Sequence, residues 1–245
     1  MLPFTSRLAL AATLALGTVV MGSGMARATS LQAAPVLVEM PVGTNASAVT
    51  IRNTGATPFD VQIRVFRWVQ ENGTESFEET DEVAASPPMT TLQPGATYSV
   101  RIVRQARAGG PERAYRLLVD QLPDEERQRS GTVALVMRHS IPVFLTPEAA
   151  SAAQLTFSIE RSGNQAFLVA QNSGGRRARL SAASLKTAGG KSISLGSGLL
   201  GYVLAGSTMR WRIPGGAAAF APGQSHSVIA TSDQGPVNAN ARVER

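Results

Sequence analysis

Two histidines, His139 and His226, are the only imidazoles in this 245-residue sequence, and there is no cysteine. Thiol nucleophiles, thiolate metal sites and disulfide frameworks are therefore unavailable. A hydrolytic triad would need one of the two histidines beside a serine and a carboxylate, and such groups meet in space rather than in chain order. The G-x-S-x-G turn that presents a nucleophilic serine is absent. His139, on an apolar run, reads as a structural residue near a strand end, and His226, in GQSHSV, reads as surface. Gly196, Gly198 and Gly201 spell G-x-G-x-x-G, but a dinucleotide fingerprint needs a helix to start there, and YVLAGSTMRWRI reads as strand and turn. The acidic stretch ENGTESFEETDEVAAS at 71–86 lacks the ligand spacing of a calcium loop and reads as a solvated loop. No cofactor, metal or nucleotide is expected, and the chemistry expected is binding rather than catalysis.

The feature that stands out is hydrophobic. In GTVALVMRHSIPVFLTP, from Gly131 to Pro147, one parity carries Val133, Leu135, Met137, His139, Ile141, Val143 and Leu145. The other carries Ala134, Val136, Arg138, Ser140, Pro142 and Phe144. This is the period of one long strand. It follows directly on the charged stretch PDEERQRSG, so its apolar first half is expected to meet another protein. Ala134 and Val136 are the residues expected to face the domain's own interior. Burying Val133, Leu135 and Met137 in a partner would contribute roughly 1.5–3 kcal/mol each before ordering costs. Strand-pairing hydrogen bonds would add about 0.5–1.5 kcal/mol apiece.

The elements that must position this strand are themselves strands. Segments 30–40, 47–53, 59–69, 114–122 and 132–145, with a strand, Pro-Gly turn and strand over 87–105, lie at about ten-residue spacing. No helix pattern competes, so the first half reads as an immunoglobulin-like sandwich. After the small-residue linker EAASAA, a second series occupies 155–160, 166–171, 178–185, 192–195, 202–204, 209–213, 225–231 and 237–243. The fold class is thus all-β, with domains expected at 29–148 and 153–245.

Residues 1–28 read as an export signal: Arg7, an apolar run from Leu8 to Met21, and the small-x-small site Ala26-Arg27-Ala28, with cleavage after Ala28. The apolar run is shorter than a bilayer span, and no later stretch is apolar enough to cross, so an exported, non-embedded protein is expected. With 43% apolar and 16% charged residues the chain is ordinary for a packed core. Removing Arg7 and Arg27 from the 23 basic residues leaves 21 against 17 acidic ones. Apart from Arg176-Arg177-x-Arg179 they are scattered, and no basic face with interleaved aromatics suggests nucleic acid.

The run LQPGATYSVRIVRQARAGGPERAYRLLVDQLP, Leu92 to Pro123, followed by a charged loop and ALVMRHSIPVFLTP, resembles the periplasmic chaperones of chaperone–usher pilus assembly, the PapD-like family. The order of parts carries the likeness: L-x-P-G, then V-R-hydrophobic, then Glu112 three residues before Tyr115, then L-P, then the long strand. The second half fits in size and class but carries little motif. The resemblance implies two immunoglobulin-like domains in a boomerang, with the last strand of the first domain lent to a pilin subunit that lacks one. Val133, Leu135 and Met137 match the residues that fill the subunit's groove. The implied partners are pilin or fimbrial subunits and an outer-membrane usher, in the periplasm, with release driven by subunit folding and no ATP.

One departure matters. The best-studied members carry an Arg on the first strand and a Lys on the last to hold the subunit's terminal carboxylate, and the matching positions here are Leu37 and Pro142. The S-I-P-V-F form looks more like the archaic branch associated with spore-coat-U-like pilins. A desolvated carboxylate still needs a positive partner; the candidates are Arg138, Arg101 and Arg116. An uncapped lending strand also makes self-association of the free protein an expectation. The alternatives are a generic exported sandwich pair with an adhesive or structural role, and a secreted hydrolase on a β scaffold.

Overall fold

The computed structural model describes residues 31–106, 109–124, 135–187 and 189–244. Residues 1–28, read as an export signal, lie outside them, as do Val133 and Ala134. The first half contains β1 (Leu31–Ala34), β2 (Val38–Pro41), β3 (Ala46–Asn53), β4 (Phe59–Glu71), β5 (Thr74–Glu79), β6 (Val83–Ser86), β7 (Met89–Leu92), β8 (Thr97–Arg104), β9 (Arg113–Gln121) and β10 (Arg138–Thr146). One sheet runs β1-β3-β8-β6; the facing sheet runs β2-β10-β9-β4-β5, with β7 also on β4. Alternation dictates the arrangement. Val49 and Ile51, Val100 and Ile102, Val61 and Ile63, Tyr115, Leu117 and Val119, and Ile141, Val143 and Leu145 all point into one buried core between the sheets.

Three expectations about local structure need correction. Residues 30–40 are not one strand: the chain breaks around Pro35 and passes from β1 in one sheet to β2 in the other. The acidic segment 71–86 is not a loop but supplies β5 and β6. Glu71 stands opposite Thr74 across a two-residue Asn72-Gly73 turn, both with positive φ (52° and 75°), a geometry that Asn-Gly favours in hairpins. The pattern of β5 shows no alternation because the whole strand is exposed. Finally, β10 begins at Arg138, while Leu135–Met137 precede it without strand pairing of their own. Its core-facing parity is that of Ile141, Val143 and Leu145, and Val136 is exposed rather than inward.

The second half forms one eight-stranded sheet from β11 (Leu155–Ser162), β12 (Gln165–Asn172), β13 (Ala178–Lys186), β14 (Ser192–Ser194), β15 (Leu199–Val203), β16 (Thr208–Arg212), β17 (Ser225–Ser232) and β18 (Gly235–Val243). Its order is β14-β13-β17-β18-β11-β12-β16, with β15 also on β13. Although β15 pairs with β13 at one end, it also lies against β12 and β16 at the other, so the sheet curls over its own core. Gly201 of β15 allows this closure: a Cβ there would sit 3.1 Å from the Trp211 indole nitrogen of β16. The G-x-G-x-x-G run accordingly forms a turn and the start of β15, as read from sequence, with no helix.

The histidines differ from each other. His139 bonds the Leu31 carbonyl at 2.7 Å and ties β10 to β1, a structural role. His226, expected at the surface, is buried with its ring edge-on to Phe220 at 5.0 Å. It shares the inward parity of Val228 and Ala230 on β17, an alternation obscured by the flanking serines. Burial pushes its pKa down.

Candidate functional site

β10 is a strand with two different halves. From Val143 to Leu145 it is flanked on both sides, by antiparallel β9 and parallel β2, and the β2 pairing continues to Thr146. From Arg138 to Pro142 it pairs, among the described residues, with β9 alone, and the other edge is open. Pro142 has no N–H to leave unpaired there, which suits an edge. Ahead of the open half, Leu135, Val136 and Met137 are 84%, 49% and 41% exposed. Met137 is the last point of attachment: its carbonyl accepts from the Gln121 backbone N–H at 2.9 Å, and its own N–H donates to Gln121 Oε1 at 3.4 Å. An apolar row beside an open edge is what a sandwich must avoid unless a partner covers it. The opposite edge of the same sheet shows the avoidance: β5, TESFEE, is fully exposed and carries Glu75, Glu78 and Glu79.

The outer face of this sheet, away from the core, meets the second half of the chain. Trp68 of β4, Ala114 of β9 and Phe144 of β10 pack with Tyr202 and Leu204, and Leu37 lies against the cluster. The Trp68 and Tyr202 rings meet edge-on at 5.4 Å. Gln70 clamps one side, donating to the Tyr202 carbonyl and accepting from the Leu204 N–H, both at 2.9 Å. Arg177 clamps the other. Its guanidinium lies 3.7 Å over the Phe144 ring, donates to Glu112 at 2.7 Å and pairs with Glu39. A cavity of about 1010 Å³ opens beside this clamp, lined by Glu39, Pro41, Arg176, Arg179, Tyr202 and Gln234 among others.

The three arginines singled out from sequence occupy three different settings. Arg101 is exposed on the outer face of the β1-β3-β8-β6 sheet, across the sandwich from the cleft. Arg138 is already paired with Asp120. Arg116 lies within the cleft face, its guanidinium 3.7 Å over the Trp68 ring, with a buried Nε that has no hydrogen-bond partner among the described residues. Desolvation holds its pKa below the ordinary guanidinium value. It stands directly opposite Pro142 across the β9–β10 pair, so the two side chains share a face. A cation thus stands one strand away from position 142. Trp68, Gln70, Asp120 and Arg177 were not singled out from sequence. Only Arg177 carried a signal, as part of an arginine run.

A double sandwich with one apolar strand edge left open beside a cation-bearing cleft defines a protein built to complete another chain's sheet. A family described as pili and flagellar-assembly chaperone, PapD N-terminal domain, matches residues 30–151, and the chain belongs to this family of chaperones. Among solved structures it is similar to one from the chaperone–tip adhesion subunit pre-assembly complex of the archaic chaperone–usher Csu pili of Acinetobacter baumannii. Identity there is 26% and the TM-score 0.70, over 89% of this chain and 100% of the other. The Salmonella enterica SafA pilin–SafB chaperone complex matches at 18% identity and a TM-score of 0.57, over 87% and 96%. The E. coli chaperone DraB matches at 19% and 0.55, over 88% and 97%. These last two carry the fold alone. No curated protein sequence matches the chain.

Proposed function

We propose that this protein is an exported, periplasmic chaperone that captures pilin subunits by lending them residues 133–137, completing the subunit's sheet, and then delivers them to an outer-membrane usher. The observation that carries the reading is the exposed Leu135–Met137 segment running into the open edge of β10. Backbone groups on such an edge supply affinity, and alternate side chains supply specificity. Val133, Leu135 and Met137 are the groove-filling residues. No cofactor enters the reading.

Of the three candidate anchors for the subunit's terminal carboxylate, Arg116 has the setting that suits it. A desolvated guanidinium with an unpartnered Nε gains from an incoming anion, whereas Arg138 is engaged and Arg101 faces away. The first half, 29–148, holds the lending strand, and 153–245 closes the cleft. Free copies pair through the same open edge.

Co-expression of the chain with candidate pilin subunits in a periplasm, followed by pull-down beside Leu135→Glu, tests the reading. A one-to-one complex lost in the variant supports it. Equal capture by both forms refutes strand lending.

A further inference from the structure

The lent segment leaves the sandwich at a point where β10 has lost the support of β2. One carboxylate replaces that support. Asp120 lies opposite Arg138 in the β9–β10 register, and its side chain is only 9% exposed. Its Oδ1 accepts from Arg138 Nε, and its Oδ2 accepts from Arg64 Nη2 of β4 at 2.7 Å. A single buried group thus ties together β4, β9 and β10 at the place where the third of them runs out.

Arg138 itself has little other hold. Its side chain is 61% exposed, and it is the first residue of β10. The neighbouring residue of β9, Gln121, is buried and grips Met137 through both its backbone N–H and its side-chain oxygen. Met137 and Arg138, the two residues that follow Leu135 and Val136, are therefore fixed by consecutive residues of β9. Among the described residues, nothing in the open edge beyond them fixes the exit direction.

Resting on the strand-lending reading, we propose that Asp120 is a positioning residue for capture: through Arg138, braced by Arg64, it sets the direction in which the lent segment leaves the first sandwich. The benefit is preorganisation. A segment that already points along the subunit's groove loses less conformational freedom on capture. Asp120 does not touch the subunit in this scheme; it acts through residues 135–138.

The test is a double-mutant cycle on capture of the pilin subunit that co-purifies with the wild-type chain, using Asp120→Asn, Leu135→Ala and the combined variant, each with its thermal unfolding recorded. Asp120→Asn is expected to weaken capture on the order of tenfold, and the combined variant to lose clearly less than the product of the two single losses. Losses that multiply to within about twofold would show that Asp120 acts independently of the segment, and overturn the proposal. Unchanged capture in Asp120→Asn would overturn it too. Arg138→Gln, an exposed substitution, guards against a folding defect: it should reproduce the Asp120→Asn loss and add nothing to it, and full capture by Arg138→Gln contradicts the proposal. If Leu135→Ala captures as well as wild type, strand lending itself fails; if only Leu135→Ala is impaired, strand lending stands and the role of Asp120 falls.

Discussion

Arg177 of the second sandwich donates to Glu112 of the first at 2.7 Å, and the Arg177 backbone N–H donates to the other Glu112 oxygen at 3.0 Å. Thr146, just before the linker, adds a third bond to the same carboxylate at 2.6 Å. Both side chains of the ion pair are almost fully buried. Such a pair contributes little over an apolar contact of the same shape, but removing one partner strands the other charge.

Glu112→Ala should therefore destabilise the chain by about 3–5 kcal/mol. Chemical denaturation checks it, and a loss below about 1 kcal/mol would mean that the existing pair with Glu39 is enough to compensate the Arg177 charge.

Leu135→Glu should leave stability within about 0.5 kcal/mol of wild type, since the side chain is exposed. Subunit capture should be abolished all the same. Thermal unfolding and pull-down on one preparation separate the two, and a large drop in melting temperature would show that Leu135 packs on its own domain.

Arg116→Ala should weaken capture roughly 10- to 100-fold, the worth of a charge-assisted hydrogen bond to a carboxylate. Arg101→Ala should have no effect, because that residue faces away from the cleft. Comparing a subunit with its natural terminus against one extended by several residues sharpens the reading: only the natural terminus should sense Arg116.

Stability should hold through a neutral pH window and decline on both sides. Glu82 accepts from Tyr115 at 2.5 Å and from Arg113 at 2.7 Å. Burial alone would raise the Glu82 pKa, but these hydrogen bonds and the nearby arginines hold it below the usual carboxylate value. A lowered folded value means that its contribution is present above the unfolded pKa, near 4.3, and lost as pH falls through the folded one. Asp120, lowered by Arg138 and Arg64 against its own burial, acts in the same direction. Tyr115 is the reverse case: burial and the Glu82 carboxylate raise its pKa. Its contribution is complete below the unfolded value of about 10 and fades as pH rises past it. Tyr115→Phe should remove the alkaline decline while retaining the acid one, measurable as melting temperature against pH.

Gly201→Val should destabilise the second sandwich by about 1–3 kcal/mol, because the new side chain meets the Trp211 ring where β15 closes over β16. The indole's fluorescence change on unfolding reports it, and an unchanged midpoint would mean that the closure gives way without cost.

Much of the fold was legible because it rests on local alternation. Val61 and Ile63, Tyr115 and Leu117, and Val143 and Leu145 announce a period of two, and Gly and Pro announce the turns. The hairpin at Asn72-Gly73 was missed although its turn signal was present, because β5 buries nothing and so shows no alternation. His226 was misplaced for a related reason: the serines beside it hide an inward row whose other members are Val228 and Ala230.

The sequence by itself determined the all-β class, most of the core strands of the first sandwich and the apolar row that ends in Met137, since each depends on neighbours in the chain. It also carried the family likeness, through the spacing of Gly95, Glu112, Tyr115 and Pro123. Only the tertiary structure decided which arginine stands in the cleft, that Asp120 holds the root of the open strand, and that Gln70 and Arg177 fasten the two sandwiches. Those relationships join residues 18 to 138 positions apart. A charge acquires its role from the face it shares and the water it loses, and neither is written in local order.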